Sequence, residues 1–142
     1  MVALLRAGDV AVLANIGDSR AYSMKNAQGG GDSPLVQISE DHTYQYLVAE
    51  AALVPNLPEK LARFLDGRSD GRSPDLIILR LHPGERILLC SDGLSSYVPE
   101  PQIRATMNSA HGPDRVAADL VAAALDHGGR DNVTVTVIDI GD

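Results

Sequence analysis

The first forty residues contain short β-branched runs separated by tight turns, and this pattern restricts the possible folds more than any other feature. The runs lie at 2–6, 10–16, 20–24 and 35–39, and a glycine-rich tract at 25–34 predicts a flexible turn before the last run. Runs rich in Val and Ile that are joined by Gly-Asp dipeptides are typical of strands in hairpins. We therefore predict a meander of antiparallel strands.

The rest of the chain predicts helices in pairs and further strands. A helix is predicted at 43–53, with Asp41 or Thr43 as its N-cap, and a second at 58–65 before a loop at 66–75. The later predicted elements are strands at 75–81 and 86–90, helices at 99–108 and 113–127, and a strand at 133–140. This order favours an antiparallel sheet covered by a helical hairpin over a doubly wound parallel sheet.

The composition is that of an ordinary globular domain. Of the 142 residues, 44% are hydrophobic and 22% are charged, so we expect residues 1–142 to form a single domain. A net charge of −7 with scattered basic residues argues against nucleic acid as a partner. No apolar run is long enough to span a bilayer, and the first residues lack a signal-peptide pattern, so no membrane association is expected.

The single cysteine, Cys90, cannot form an internal disulfide, which favours a cytoplasmic location. It lies within an apolar run without a cationic motif nearby. We therefore expect a buried, inert thiol and not a nucleophile.

Three aspartates lie where predicted strands meet turns: Asp18 in Gly-Asp-Ser-Arg, Asp92 in Ser-Asp-Gly, and Asp131 in Arg-Asp-Asn. Taken singly, each motif is explained more simply as a turn with local hydrogen bonds. Their combination is more informative, because an uncompensated carboxylate directly after the apolar run 86–90 would be costly. Three convergent carboxylates would suit Mg²⁺ or Mn²⁺, which bind oxygen ligands.

Four segments together resemble the PP2C-type (PPM) protein phosphatases in order and spacing. They are VAVLANIGDSRAY at 10–22, LVQISEDHT at 35–43, LHPGERILLCSDGLSSYV at 81–98 and GGRDNVTVTVIDI at 128–140. The similarity extends over nearly the whole chain and is least clear at about 54–75. It implies an α+β fold, an antiparallel β-sandwich flanked by helical hairpins, which is incomplete at the N-terminus.

The resemblance also implies a metal centre and its chemistry. Asp92 and Asp131 match ligands of one metal in a binuclear Mn²⁺ or Mg²⁺ centre, and Asp18 matches a ligand of a third, weaker site. The residues expected to support these ligands are Ser91, Gly93 and Asn132. In the family, a bridging water or hydroxide attacks the phosphorus of phosphoserine or phosphothreonine in line, without a phosphoenzyme.

The segment at about 43–74 resembles the family's flap, which shapes substrate access, and it contributes the basic residues Arg63, Arg68 and Arg72. Two family features are missing from this sequence. The Asp-Gly-x-Gly-Gly motif that supplies the metal-bridging aspartate has no counterpart, and Ser96 stands where many members have an aspartate for the third metal.

The function expected from this resemblance is that of the C-terminal part of a metal-dependent protein serine/threonine phosphatase. Because the bridging-aspartate motif is absent, the isolated chain is expected to have weak or no activity. The expected partners are a phosphoprotein substrate and either the missing N-terminal half or a second copy of the chain. Two alternatives are a catalytically inactive interaction module that pairs through an open sheet edge, and simple metal binding without turnover.

Overall fold

The computed structural model describes residues 1–25, 33–47, 53, 55–57, 60–67 and 73–141. The strands are β1 (Val2–Ala7), β2 (Val10–Asn15), β3 (Arg20–Met24), β4 (Leu35–Gln37), β5 (Asp75–Arg80), β6 (Arg86–Cys90) and β7 (Val135–Asp139). The helices are α1 (Tyr44–Leu47), α2 (Asp92–Ser95), α3 (Glu100–Met107) and α4 (Pro113–Asp126).

The strands form one three-stranded sheet in the order β1-β2-β5 and one four-stranded sheet in the order β4-β3-β6-β7. Every neighbouring pair is antiparallel. The predicted α+β class and the antiparallel sandwich are therefore confirmed. Within the described residues, helices α3 and α4 provide one helical hairpin, and it covers the four-stranded sheet.

The larger core lies between this hairpin and the four-stranded sheet. Helix α4 begins at Pro113, whose fixed φ suits the first helical turn, and Gly128 follows its end with φ of +106°. Its buried residues are Val116, Leu120, Ala123 and Ala124, which is the predicted stripe. They pack in one cluster with residues of the central strand β6, which is buried along most of its length, as its unbroken apolar run indicated.

A second apolar cluster lies between the two sheets. Its fully buried members are Ala11, Leu81, Ile87 and Ile140. The alternation of β2 explains this position, because residues 11, 13 and 15 are buried while their neighbours are only partly so. The three-stranded sheet therefore directs one face inward, against the four-stranded sheet.

The outward face of the three-stranded sheet is apolar and uncovered by any other described residue. Leu5 lies opposite Val12, which in turn lies opposite Ile78, so the three form one row across the sheet. Leu5 is 75% exposed, Ile78 is 77% exposed and Leu76, in the next row, is 67% exposed. Among the described residues, the four-stranded sheet thus has a helical cover and the three-stranded sheet has an exposed apolar face.

The helix predicted at 58–65 is wrong over the residues that are described, 60–65. They form bends and an isolated bridge between Leu61 and Thr43. Their backbone groups bond to the segment after β4 instead of to each other: Tyr44 N–H donates to Lys60 O at 3.0 Å, and Ala62 N–H donates to His42 O at 2.8 Å. Long-range bonds therefore replace the local bonds of a helix.

Other differences concern the ends of elements. The predicted strand 35–39 ends at Gln37, because Ser39 turns its hydroxyl to accept the Ala21 N–H at 2.9 Å. The predicted strand 133–140 is confirmed as β7 over a shorter range. Of the predicted helix 43–53, the structure shows α1, whereas 48–52 lie outside the described residues. The same holds for 26–32 of the predicted turn and for 68–72 of the predicted loop.

Asp41 does not have the predicted role of N-cap. Its carboxylate accepts hydrogen bonds from the Arg20 guanidinium, with Nη2 and Oδ2 at 2.6 Å. This pairing raises the pKa of Arg20. Arg20 and Asp41 thus join the start of β3 to the segment after β4.

Candidate metal site

Asp92 lies at the end of β6, the central strand of the four-stranded sheet. Ser91 leaves the strand in an extended conformation, and Asp92 is the first residue of the short helix α2. The Asp92 Oδ1 atom accepts the backbone N–H of Gly93 at 3.1 Å. The sheet thus fixes the backbone, and this hydrogen bond orients the carboxylate.

Ser91 joins the Asp92 segment to the Asp131 segment. Its hydroxyl donates to Asn132 O at 3.1 Å and accepts the Thr134 N–H at 3.0 Å. Its backbone N–H also donates to Thr134 O at 3.0 Å. Since Asn132 directly follows Asp131, the two aspartates that the sequence motifs single out lie on segments held together by one serine.

Gly93 allows these two segments to touch. A Cβ atom at this position would lie 2.3 Å from Asn132 O, and even the Asn132 carbonyl carbon would be at 3.0 Å. Asp131 itself is exposed, and its Oδ1 atom accepts the N–H of Asn132 at 2.7 Å. The predicted supporting residues Ser91, Gly93 and Asn132 are therefore in mutual contact.

Asp18 is close enough to Asp92 for the two charges to interact. Burial raises the pKa of Asp18, and the negative charge of Asp92 raises it further. The preceding residue, Gly17, has φ of +102°, a conformation that favours glycine. This turn lies between β2 and β3 and places Asp18 at the same end of the sandwich as Asp92.

These residues have the donor chemistry of a hard divalent cation, since carboxylate oxygens are the ligands that Mn²⁺ and Mg²⁺ prefer. The like charges of Asp18 and Asp92 oppose each other, and a cation near both would relieve that repulsion. Within the described ranges, however, no three His, Cys, Asp or Glu residues converge on one point that could hold a metal ion. Asp18, Asp92 and Asp131 could therefore supply only part of the ligands of a metal centre.

The sequence interpretation missed a second polar cluster next to this site, formed by His42, Arg63 and Asp75. His42 is 2% exposed, and its Nε2 atom lies 2.8 Å from Asp75 Oδ2. Arg63 Nη2 donates to Asp75 Oδ1 at 2.8 Å, and this guanidinium, together with His42, lowers the pKa of Asp75. The one sequence signal for this cluster was His42, next to Asp41. Its partner Asp75 is distant in sequence, so the pairing could not be foreseen.

Of the three arginines predicted in the flap-like segment, the structure describes Arg63. Its side chain is 29% exposed, and its guanidinium binds Asp75 and donates from Nη2 to Ser73 O at 2.7 Å. A polar cavity of about 460 Å³ lies beside this ion pair and is also lined by Asp41 and His42. Arg68 and Arg72 lie outside the described residues.

Cys90 has the environment expected of an inert thiol. It is buried, and burial raises the pKa of its thiol to about 12. A thiol with this pKa remains protonated near neutral pH, and the thiolate is the nucleophilic form. The prediction of a buried cysteine is confirmed.

The structure combines an antiparallel α+β sandwich with carboxylates at the ends of its strands, an arrangement that suits a metal-dependent hydrolase. A scan against protein-family models found no match. The serine/threonine protein phosphatase PstP of Mycobacterium tuberculosis is 37% identical over 155 residues, which cover 100% of this chain and 27% of PstP. The serine/threonine phosphatase stp of Listeria monocytogenes is 30% identical over 98% of this chain and 55% of that protein.

Solved structures of the same class of phosphatase also match this chain. The crystal structure of M. tuberculosis PstP matches with a TM-score of 0.79 and 33% identity, over 99% of this chain and 59% of that one. The PstP catalytic domain in complex with two manganese ions matches with a TM-score of 0.75 and 32% identity, over 99% and 58% of the two chains.

Over nearly its whole length the chain is similar to the PP2C-type (PPM) serine/threonine phosphatases, and it matches the C-terminal part of their phosphatase domain. It spans about half of the Listeria relative and about a quarter of PstP. In the described ranges, no helix combines the length and the apolar character needed to cross a membrane.

Proposed function

We propose that this chain is part of a metal-dependent phosphatase that hydrolyses phosphoserine and phosphothreonine in proteins. The observation that carries the proposal is the Ser91 bridge, which holds the Asp92 and Asp131 segments together at the ends of adjacent strands. The relatives are named serine/threonine phosphatases, and one was solved with two manganese ions. They give no support to the alternative of an inactive interaction module.

Each residue of the site has a role in this proposal. Asp92 and Asp131 bind one of two Mn²⁺ or Mg²⁺ ions, and Asp18 contributes to a third site. Such ions activate a water as the nucleophile and neutralise charge on the phosphoryl group. Ser91 and Gly93 keep the two ligand segments in contact, together with the carbonyl of Asn132.

The flap-like segment 43–74 would control substrate access within a single domain, residues 1–142. Arg68 and Arg72 are its candidate contacts with a phosphoprotein. For Arg63, the ion pair with Asp75 supports a role in anchoring the segment to β5.

We further propose that the centre becomes complete only with polypeptide equivalent to the rest of the relatives' domain, on the same longer chain or on a separate one. The exposed apolar face around Leu5 and Ile78 supports this, because large contiguous apolar patches mark surfaces to which other polypeptide binds. A groove of about 270 Å³ next to Ser91, lined by residues of β1 and β7, provides a place for such polypeptide beside the metal ligands. A second copy of the chain is the other candidate.

The location in this proposal is the cytoplasm. The buried thiol of Cys90, a free cysteine, is compatible with a reducing compartment.

The test is phosphatase activity on a phosphothreonine peptide with Mn²⁺. The chain is assayed alone and after co-refolding with the part of the PstP catalytic domain that has no counterpart in it. We expect little or no activity alone and clear activity in the mixture, because a bridging carboxylate is then supplied. Asp92→Asn and Asp131→Asn should each abolish this activity, whereas the exposed control Asp126→Asn should retain it. Activity in the mixture that survives Asp92→Asn would refute the proposal.

A further inference from the structure

We propose that His42 is a positioning residue for Asp18: its imidazole, held as the Nε2–H tautomer by Asp75, accepts the Gly17 N–H and so sets the turn that carries the Asp18 carboxylate. This inference depends on the proposed function only for the metal-binding role of Asp18.

The first argument is that His42 binds both polar backbone groups of Gly17, the residue immediately before Asp18. The Gly17 N–H donates to His42 Nδ1 at 3.2 Å, and the His42 backbone N–H donates to Gly17 O at 2.9 Å. Both contacts are enclosed, since His42 is 2% exposed and Gly17 is buried. A single histidine therefore holds both backbone polar groups of Gly17, whose φ is +102°.

The second argument concerns the tautomer. A backbone N–H can only donate, so Nδ1 must carry a lone pair and the ring proton of a neutral imidazole must lie on Nε2. Nε2–H then donates to Asp75 Oδ2 at 2.8 Å. Arg63 Nη1 also lies 3.2 Å from Nε2, but two donors cannot bond to each other, and this Nη1 instead donates to Asp75 Oδ2 at 3.3 Å.

The third argument is that the acceptor, Asp75, is itself fixed. It lies at the start of β5, opposite Asn15 of β2, so the sheet sets its backbone position. Arg63 donates to both of its carboxylate oxygens and lowers the pKa of the carboxyl group. Asp75 thus remains an ionised acceptor, which keeps the proton of His42 on Nε2 and leaves Nδ1 for Gly17.

The same histidine also holds the segment around residue 62. The His42 carbonyl accepts the N–H of Ala62 at 2.8 Å and that of Arg63 at 3.3 Å. The Asp18 turn and this part of the flap-like segment are therefore attached to one residue from opposite sides. A change in the imidazole contacts would move the Asp18 carboxylate without altering any ligand of the proposed site.

The test separates the two ring contacts with two near-isosteric variants of the whole chain. In His42→Asn, the amide oxygen can replace Nδ1 as acceptor of the Gly17 N–H, whereas in His42→Gln the amide nitrogen can replace Nε2 as donor to Asp75. Mn²⁺ is titrated, and the paramagnetic broadening of the Asp18 backbone amide signal is followed by NMR. Hydrogen exchange of the Gly17 amide is measured without metal.

We expect His42→Gln to raise the Mn²⁺ concentration at half-broadening about tenfold and to speed exchange at Gly17, because changes behind a ligand typically weaken metal binding by this factor. For His42→Asn, the Mn²⁺ concentration at half-broadening and the exchange rate of the Gly17 amide should both stay near the wild-type values. The exposed control His127→Gln should match the wild type. Equal effects of the Asn and Gln variants would mean a merely structural histidine and would overturn the proposal.

Two further measurements keep the outcome decisive if the variants fail to fold. The imidazole ¹⁵N shifts of the wild-type chain report the tautomer, and a proton on Nδ1 would overturn the proposal. Asp75→Ala should then speed Gly17 exchange and weaken Mn²⁺ broadening at Asp18. If the wild type shows no Mn²⁺ effect at Asp18 even when it is complemented with the remaining part of the PstP catalytic domain, the metal-binding role of Asp18 in the proposed function fails, while tautomer and exchange still decide the positioning role.

Discussion

At Gly93 the chain passes so close to Asn132 that no side chain fits between them. The 2.3 Å approach of a Cβ atom is to a backbone carbonyl oxygen, which cannot rotate away as a side chain could. The hydroxyl of Ser91 donates to the same oxygen. The contact between the two ligand segments therefore depends on Gly93, a residue without a side chain.

Gly93→Ala should destabilise the protein by about 2 kcal/mol, because overpacking a close contact forces the backbone to shift. The Asn132 carbonyl would be pushed away, and the bond from Ser91 would lengthen. Urea unfolding followed by circular dichroism measures the change. The control is Gly141→Ala, where a Cβ atom would meet nothing within 4 Å, and it should lie within about 0.5 kcal/mol of the wild type. Equal stabilities for both variants would contradict the packing argument.

Single residues differ in how far the sequence could indicate their roles. Ser91, Asp92 and Gly93 are adjacent, and their position after an apolar strand was sufficient to single them out. The contact of His42 with Asp75 joins residues 33 positions apart, and no local pattern encodes such a pairing. Its discovery required the three-dimensional register of β2 and β5.

Among the elements, β6, α3 and β7 are joined through one buried charge, Arg86. Its side chain is 1% exposed and forms an ion pair with Asp139 of β7, with Nε and Oδ1 at 2.5 Å. Nη1 donates to Met107 O at 2.8 Å and Nη2 to His111 O at 2.8 Å, so the end of α3 and the following loop are also held. Removing this group would leave the buried carbonyl of Met107 and the carbonyl of His111, whose hydrogen bond is partly buried, without their donor.

Arg86→Met should lower the free energy of unfolding by about 3 kcal/mol, since the carbonyl oxygens of Met107 and His111 lose a charged donor and the ion pair with Asp139 is broken. The matched control is Arg115→Met, which breaks the exposed i,i+4 pair with Asp119 and should cost at most about 0.5 kcal/mol. Thermal unfolding of the three proteins gives the comparison. A loss of stability for Arg86→Met no larger than that of the control would show that the contacts of Arg86 contribute little to stability.

Most elements could be predicted because hydrophobic periodicity reports burial directly. The alternation in β2 and the apolar stripe of α4 are examples, since each pattern matches a face that is buried. The helix prediction at 58–65 is wrong over residues 60–65 because this segment contains good helix formers and only a weak sequence signal for a loop. The bonds from this segment to His42 and Tyr44 are tertiary, and tertiary contacts override local propensity.

At the scale of the whole molecule, the two sheets are covered unequally. The α3–α4 hairpin covers the outer face of the four-stranded sheet, with α4 against β7. The three-stranded sheet exposes its outward apolar row to solvent over the described part of the chain. In a layered domain, packed layers cover the apolar face of each sheet, and this agrees with the proposal that further polypeptide binds to this face.

The double variant Leu5→Lys with Ile78→Lys should fold normally but fail to bind the complementing part of the PstP domain. Both side chains point outward, so the substitutions place charges in solvent when the chain is alone and in an interface when it is complemented. Binding is measured by calorimetry after the fold is checked by circular dichroism. The single variant Leu13→Lys, at a fully buried inward position, should instead unfold the chain. Undiminished binding by the double variant would place the interface elsewhere.

The hydroxyl of Ser91 reaches a carbonyl 41 residues further along the chain, and the intervening loop contains α2, α3 and α4. Closing a loop of this length costs entropy that only the docked helices and the β6–β7 pairing can offset. The meeting of the Asp92 and Asp131 segments therefore depends on the packed hairpin and on the β6–β7 pairing. A partly folded chain would offer scattered carboxylates and no site, and a cation that selects the native arrangement would shift the folding equilibrium toward it.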